Sequence, residues 1–252
     1  CLWISTPRGK GNYLYNYYLR GQDQEYPDWG SAIFTWRSNP LLSERDINEA
    51  RKSVSRALFA QEYECEWTTT ESQIYLDIDE DKHVGEYVGE RFSEVIGGLD
   101  VGYRDENVFV VIGFDGQSYY IIDEYVSKES TTSELAAAIQ EKVDEWNIDT
   151  IYIDSAAQQV KADFAYDYDI YCENAVKSVN DGISYLQVLI ENDNLYFDLM
   201  GASHTFSAMS SYRWNPNTET PKPIHDWTSH PCDAVRYAIY THSKMSNISI
   251  YV

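Results

Sequence analysis

The chain of 252 residues is 43% hydrophobic and 15% aromatic, enough for one sizeable core or a core with an appendage, which excludes a disordered chain. Its 19 basic against 41 acidic residues, a balance of −22, exclude attraction of nucleic acid by a general positive field. No apolar run approaches the roughly 18 residues of a membrane span, no secretory signal opens the chain, and the four cysteines form no CxxC pair, so the sequence reads as soluble and intracellular with reduced thiols.

The first segment, CLWIST at 1–6, predicts a short apolar strand running into Pro7, Gly9 and Gly11, after which 12–21 has helical spacing and a glycine stop. A start at Cys1, in what reads as a strand, is expected of a piece cut from a longer protein; a protein-splicing junction also leaves a cysteine. SAIFTW at 31–36 predicts a second strand. Ser43 and Asp46 resemble a capping box for one helix carrying Ile47, Ala50, Val54 and Leu58 on its apolar stripe. Residues 1–70 therefore read as the end of an α/β domain, and 71–93 as a connection. The charge divides there. Residues 1–70 hold 8 basic and 9 acidic groups, a balance of −1, and 71–252 hold 11 and 32, a balance of −21.

From 94 to 252 the pattern changes. VIGGLDVGY at 95–103 predicts a strand, and FVVIGF, the Asp115-Gly116 turn and SYYIIDEYV predict a hairpin. Thr131 and Glu134 form a capping box for a helix bearing Leu135, Ala138, Ile139, Val143 and Trp146, and TIYID at 150–154 follows as a buried strand. Then come a strand within 170–176, a helix at 182–192, the strand LYFD at 195–198, a helix from His204 and a last helix from Pro231. Three antiparallel strands, a helix, a fourth strand and further alternation is the order of the ribonuclease H-like fold: a mixed sheet with flanking helices.

Three acids stand out. Asp100 ends the first of these strands before Val101-Gly102, Asp154 closes TIYID, and Asp233 lies in the first turn of the last helix, with Ser229 as a possible cap and Pro231 in the first turn. Each alone is ordinary, a solvated or capping aspartate. Together they occupy the positions where a ribonuclease H-like fold converges its acids, and carboxylates so placed repel unless cations share the site. Hard oxygen ligands suit two Mg²⁺ or Mn²⁺ ions, which activate water and stabilise the leaving oxygen of a phosphodiester. The pattern points to a metal-assisted phosphodiesterase.

STPRGKGNYLYNYY at 5–18, WRSNPLLS at 36–43, FAQEYECEW at 59–67, GLDVGYRD at 98–105, YIDSA at 152–156, VKSVNDGISYLQVLI at 176–190 and HDWTSHPCDAVRYAIY at 225–240 resemble the large terminase subunits of tailed bacteriophages. The resemblance runs over almost the whole chain, and SHPCDAVRYA and VKSVNDGI are its most specific parts. It implies that 1–70 are the tail of a P-loop-type packaging ATPase domain and that 94–252 are a ribonuclease H-like endonuclease cutting concatemeric double-stranded DNA. It maps the metal-binding and catalytic acids onto Asp100, Asp154 and Asp233, and STP at 5–7 onto a segment coupling ATP hydrolysis to DNA movement. Implied partners are double-stranded DNA, the portal protein and the small terminase subunit, with no membrane, in the host cytoplasm and transiently at the procapsid portal. Two other functions stay open: a portal-docking motor module that does not cut, and another ribonuclease H-like nuclease such as a resolvase.

The chain departs from the resemblance in lacking a GxxxxGK[ST] loop; PRGKGN at 7–12 has neither the spacing nor the hydroxyl, so no ATPase activity is expected of this chain. Secondary candidates have bland alternatives. Asp105 and Arg104 follow Asp100 and suit a phosphate or water contact, or a polar turn. Lys177, in the strand expected to face the acids, suits the scissile phosphate or plain solvation. His230 and Asp226 suit water or metal positioning, or a capping network at the helix entry.

Overall fold

The computed structural model describes residues 1–7, 13–67, 73–87, 89–102, 105–218 and 220–248. These form two compact units, one of residues 1–73 with 214–222 and one of 74–213 with 223–252.

The first unit is helical. Helix α1 spans Tyr13–Gln22, a single 3₁₀ turn spans Trp36–Ser38, α2 spans Glu44–Ser53 and α3 spans Arg56–Glu62. The expected capping box is present: Asp46 N–H donates to Ser43 Oγ at 3.2 Å, and Ser43 N–H to Asp46 Oδ2 at 3.0 Å. The single helix expected from Ser43 is two, because Val54 turns extended and Ser55 caps a new helix by accepting from Leu58 N–H. The strands expected at 1–6 and 31–36 do not form. A strand requires a ladder partner, and none of the described residues pairs with either segment; Leu2, Ile4 and Phe34 are exposed instead. Trp3 stacks on Trp29 at 5.7 Å, and the Arg20 guanidinium lies 4.9 Å from the Trp29 ring. TTTES at 68–72 and all but Pro7 of PRGKGN lie outside the described residues.

The second unit is a seven-stranded sheet: β1 Val84–Gly85, β2 Glu94–Asp100, β3 Glu106–Phe114, β4 Tyr119–Lys128, β5 Thr150–Ile153, β6 Cys172–Asn174 and β7 Leu195–Asp198, in the spatial order β1-β7-β4-β3-β2-β5-β6. β2, β3 and β4 are antiparallel neighbours, and the outer pairings are parallel. The Asp115-Gly116 turn closes the β3–β4 hairpin, with Gly116 at φ +103° and Asp115 Oδ1 accepting from the Gln117 and Ser118 N–H groups. Residues 74–93, expected as connection, carry the short helix α4 (Glu80–His83) and β1, which joins the sheet edge beside β7.

The helices of this unit are α5 Thr132–Trp146, α6 Gln158–Asp167, α7 Val179–Glu191, α8 Ser203–Ser211 and α9 Ser229–Ile248. Val108 to Ile112 of β3 are completely buried, because helices cover both faces of the sheet. On one face Leu135, Ala136 and Ile139 of α5 pack with Leu99, Phe109, Val111 and Ile153; each such aliphatic side chain contributes about 1.5–3 kcal/mol through burial. The other face receives α9. Ser229, expected to cap α9, is its first residue, and Asp233 falls one turn deeper than expected.

Candidate active site

Asp100 ends β2, which runs parallel to β5 with Leu99 opposite Ile153. The next residue on each chain, Asp100 and Asp154, therefore leaves the sheet at the same edge, where the strands' carboxyl ends open. Side chains alternate along a strand, so Asp100 shares a face with Gly98. A β-carbon on Gly98 would lie 2.1 Å from the Ala234 carbonyl oxygen. Only glycine admits α9 this closely, and the contact brings the turn carrying Asp233 against β2 near Asp100.

Each acid has a partner. His230 Nδ1 donates to Asp100 Oδ2 at 2.7 Å. Lys177 Nζ lies 2.5 Å from Asp154 Oδ1, which also accepts the Ala156 N–H at 2.8 Å, and the Tyr237 hydroxyl reaches Asp154 Oδ2 at 3.4 Å. Arg236 donates to Asp233 Oδ1 through Nη2 at 2.8 Å and Nε at 3.3 Å. A β-carbon at Gly182 would meet the Arg236 Cδ and Cγ at 2.7 Å, so α7 closes over the stem of that buried arginine.

Burial pushes the Asp100 carboxyl above its ordinary range; the His230 hydrogen bond pulls it back, and the Asp233 and Asp154 charges push it further up. Burial acts the same way on Asp154, but Lys177, the Ala156 N–H and Tyr237 outweigh it and hold that carboxyl low. The hydrogen bond that His230 donates to Asp100 raises the imidazole above its ordinary value. Burial and then the charges of Asp233, Asp100 and Asp154 raise the Tyr237 phenol, so it stays protonated as a donor. One phenol thus senses all three acids.

The arrangement suits a hard divalent cation. All three acids offer carboxylate oxygens, and Asp100, whose side chain is the least exposed of the three, is paired with an imidazole and, among the described residues, with no lysine or arginine. The three carboxylates do not all lie within 4.8 Å of one another; among the described residues the group that does is Asp105, His225 and His230.

Lys177 reaches Asp154 from the loop after β6 and not from a strand, because that strand ends at Asn174. Asp226 belongs to the helix entry: its Oδ1 accepts the Thr228 N–H and hydroxyl at 2.9 and 2.6 Å. Arg104 lies outside the described residues. Arg236, Tyr237 and His225 are additions to the sequence reading. The Asp233–Arg236 spacing of i,i+3 on one helix was the available signal for the first; a tyrosine on a packed helix and a histidine in a turn carry none.

Fold and acid-bearing edge together define a ribonuclease H-like α/β domain. Residues 97–241 match the family described as the terminase RNaseH-like domain, and the chain belongs to that family. It is 38% identical over 257 residues to the large terminase subunit of Escherichia phage T5, a match covering 96% of this chain and 58% of that protein's length. The large terminase of a thermophilic bacteriophage superposes with a TM-score of 0.74 at 20% identity, over 95% of this chain and 62% of that one. The nuclease domain of the bacteriophage SPP1 large terminase, solved with bound Mn, superposes with a TM-score of 0.54 at 20% identity, over 66% of this chain and 97% of that domain. At such identities these two structures speak to the fold.

Proposed function

We propose that residues 94–252 are a metal-dependent endonuclease that hydrolyses phosphodiester bonds of concatemeric double-stranded DNA during viral genome packaging. The observation that supports this reading is that Asp100 and Asp154 leave neighbouring strand ends at one edge of the sheet, against which α9, packed at Gly98, carries Asp233. Asp100, Asp154 and Asp233 would hold two Mg²⁺ or Mn²⁺ ions, which when bound supply an activated water and stabilise the leaving oxygen. The SPP1 domain with bound Mn supports the choice of metal. Lys177 holds Asp154 and adds a positive charge for an incoming phosphate. Arg236 fixes the Asp233 carboxylate, His230 fixes that of Asp100, and the protonated Tyr237 donates toward Asp154.

The same reading makes residues 1–70 the tail of the packaging ATPase domain, inactive as an ATPase in this chain. The portal protein and small terminase subunit are then partners in the host cytoplasm and at the procapsid. The chain spans 58% of the T5 subunit's length, and those partners belong to the whole protein. Nicking of a supercoiled plasmid tests the reading: cutting is expected with Mn²⁺ or Mg²⁺, none in a chelator, and a loss of roughly 10³-fold or more in Asp100→Ala. Cutting that survives the chelator or the substitution overturns it, and an intact chain that never cuts favours the portal-docking module.

A further inference from the structure

We infer that Arg37 and Arg51 form a phosphate-binding site in the first unit, where Glu64 holds the place that a phosphate group takes. The Glu64 side chain, 18% exposed, accepts from the Trp36 indole at 3.0 Å and from both Nη atoms of Arg37, with Nη2 3.3 Å from Oε1. Arg51 Nη2 lies 3.7 Å from the same Oε1, an ion pair too long for a hydrogen bond. Among the described residues no other carboxylate is shared by two arginines.

Local structure brings the two guanidiniums together. Trp36 N–H donates to the Tyr63 carbonyl at 2.9 Å, which fixes the 3₁₀ turn carrying Arg37 beside the end of α3, where Glu64 follows. Arg51 belongs to the last turn of α2, and its guanidinium lies 4.6 Å from the ring of Phe59, a buried residue of α3. The Arg37 guanidinium lies 4.6 Å from the Trp36 ring. Each cation is thus set against an aromatic ring before any ligand arrives, which lowers the ordering cost of binding.

The charges of the group do not balance. Two cations share one anion, and their side chains are 59% and 53% exposed. A phosphate group spreads its charge over several oxygens and can meet both planar guanidiniums at once, whereas Glu64 reaches Arg51 only through the long contact. Exposed ion pairs are worth about 1 kcal/mol or less, so Glu64 yields to such a ligand. A tie between the turn and α3 needs only Trp36 and Arg37 on Glu64 and leaves Arg51 unexplained. Residues 1–70, with a balance of −1, also repel phosphate far less than 71–252, with −21. A DNA backbone and a nucleotide both carry this chemistry. The site does not depend on the nuclease reading.

The test titrates inorganic phosphate into the whole chain, without divalent metal and at constant ionic strength, read by phosphorus NMR and by the thermal midpoint. Saturable millimolar binding that raises the midpoint is expected. Arg37→Ala and Arg51→Ala should each weaken it by about tenfold or more, and Arg45→Ala, from the exposed pair with Glu49, should leave it unchanged. Glu64→Gln keeps an acceptor for Trp36 and removes the competing charge, so it should tighten binding by about fivefold. A purely structural Glu64 predicts otherwise: a lower midpoint and an unmoved phosphate affinity. Midpoints without phosphate check that each variant is folded. Competition separates the sources, since displacement by a short duplex assigns the DNA backbone and displacement by ATP but not the duplex assigns a nucleotide. Absence of saturable binding overturns the site, as does displacement by neither competitor. Equal binding by wild type, Arg37→Ala and Arg51→Ala, or a folded Glu64→Gln that binds phosphate no more tightly than wild type, overturns it as well.

Discussion

Asp100 and Asp233 face opposite electrostatic circumstances although both belong to one cluster. Burial and two neighbouring carboxylates hold the Asp100 carboxyl above its ordinary range, so the folded chain binds that proton more tightly than the unfolded chain. Ionisation then costs stability at neutral pH, and the cost vanishes once pH falls below the ordinary carboxylate range. Asp100→Asn, whose side-chain oxygen still accepts from His230, is expected to raise the metal-free thermal midpoint above the ordinary carboxylate range of pH and to lose that gain in acid. Asp233→Asn should instead lower the metal-free midpoint, because it strips the counter-charge from Arg236, which is 3% exposed; the expected loss is roughly 3 kcal/mol. Thermal melts of the two variants across pH decide this, and a destabilised Asp100→Asn would refute the crowding argument. The strand ends that carry Asp100 and Asp154 were legible because they are written locally, whereas the start of α9, which carries Asp233, was read two residues late, at Pro231 instead of Ser229. Their partners were less legible: Arg236 and Tyr237 read as helix packing until α9 is laid on the sheet, and His225 meets His230 only through the turn that precedes α9.

The β2–α9 contact rests on one missing side chain. With the Ala234 carbonyl 2.1 Å from where a β-carbon of residue 98 would stand, Gly98→Ala forces strand and helix apart. The expected result is a loss of about 1–3 kcal/mol in stability and a larger proportional loss of metal-dependent nicking, since the same displacement parts Asp233 from Asp100. Urea melts and nicking rates measure both, and full activity in a destabilised variant would show that the acids do not need this spacing. Elements with a strong local signature were legible: the capping boxes at Ser43 and Thr131 and the Asp115-Gly116 turn stand as read. Helix α6 was missed because it buries one residue, Phe164, and its N-cap Ala157 makes no side-chain bond, so neither stripe nor cap announces it. The apolar runs at 1–6 and 31–36 were misread for the opposite reason: their composition suits a strand, but a ladder depends on a partner that composition does not record.

Charge acts at the scale of the whole chain. Residues 71–252 carry a balance of −21, so phosphate repels most of their surface and divalent ions must offset that repulsion locally. Anisotropy measurements with a short duplex are expected to show no complex tighter than about 10⁻⁴ M without divalent metal, and added monovalent salt should weaken binding little, since few phosphate counterions are released. Tight binding with a steep salt dependence would reveal a basic groove and overturn this. The division of the chain has a consequence for biosynthesis. Residues 214–222 group with 1–73, and the intervening 140 residues, 74–213, belong to the other unit. A ribosome therefore cannot deliver the first unit complete and then begin the second: the earlier unit waits, unfinished, while the strands β1 to β7 are all synthesised. Domains that fold as they emerge do so in order, and here that order is interleaved, so the first unit's last contacts form only after the sheet of the second has left the exit tunnel.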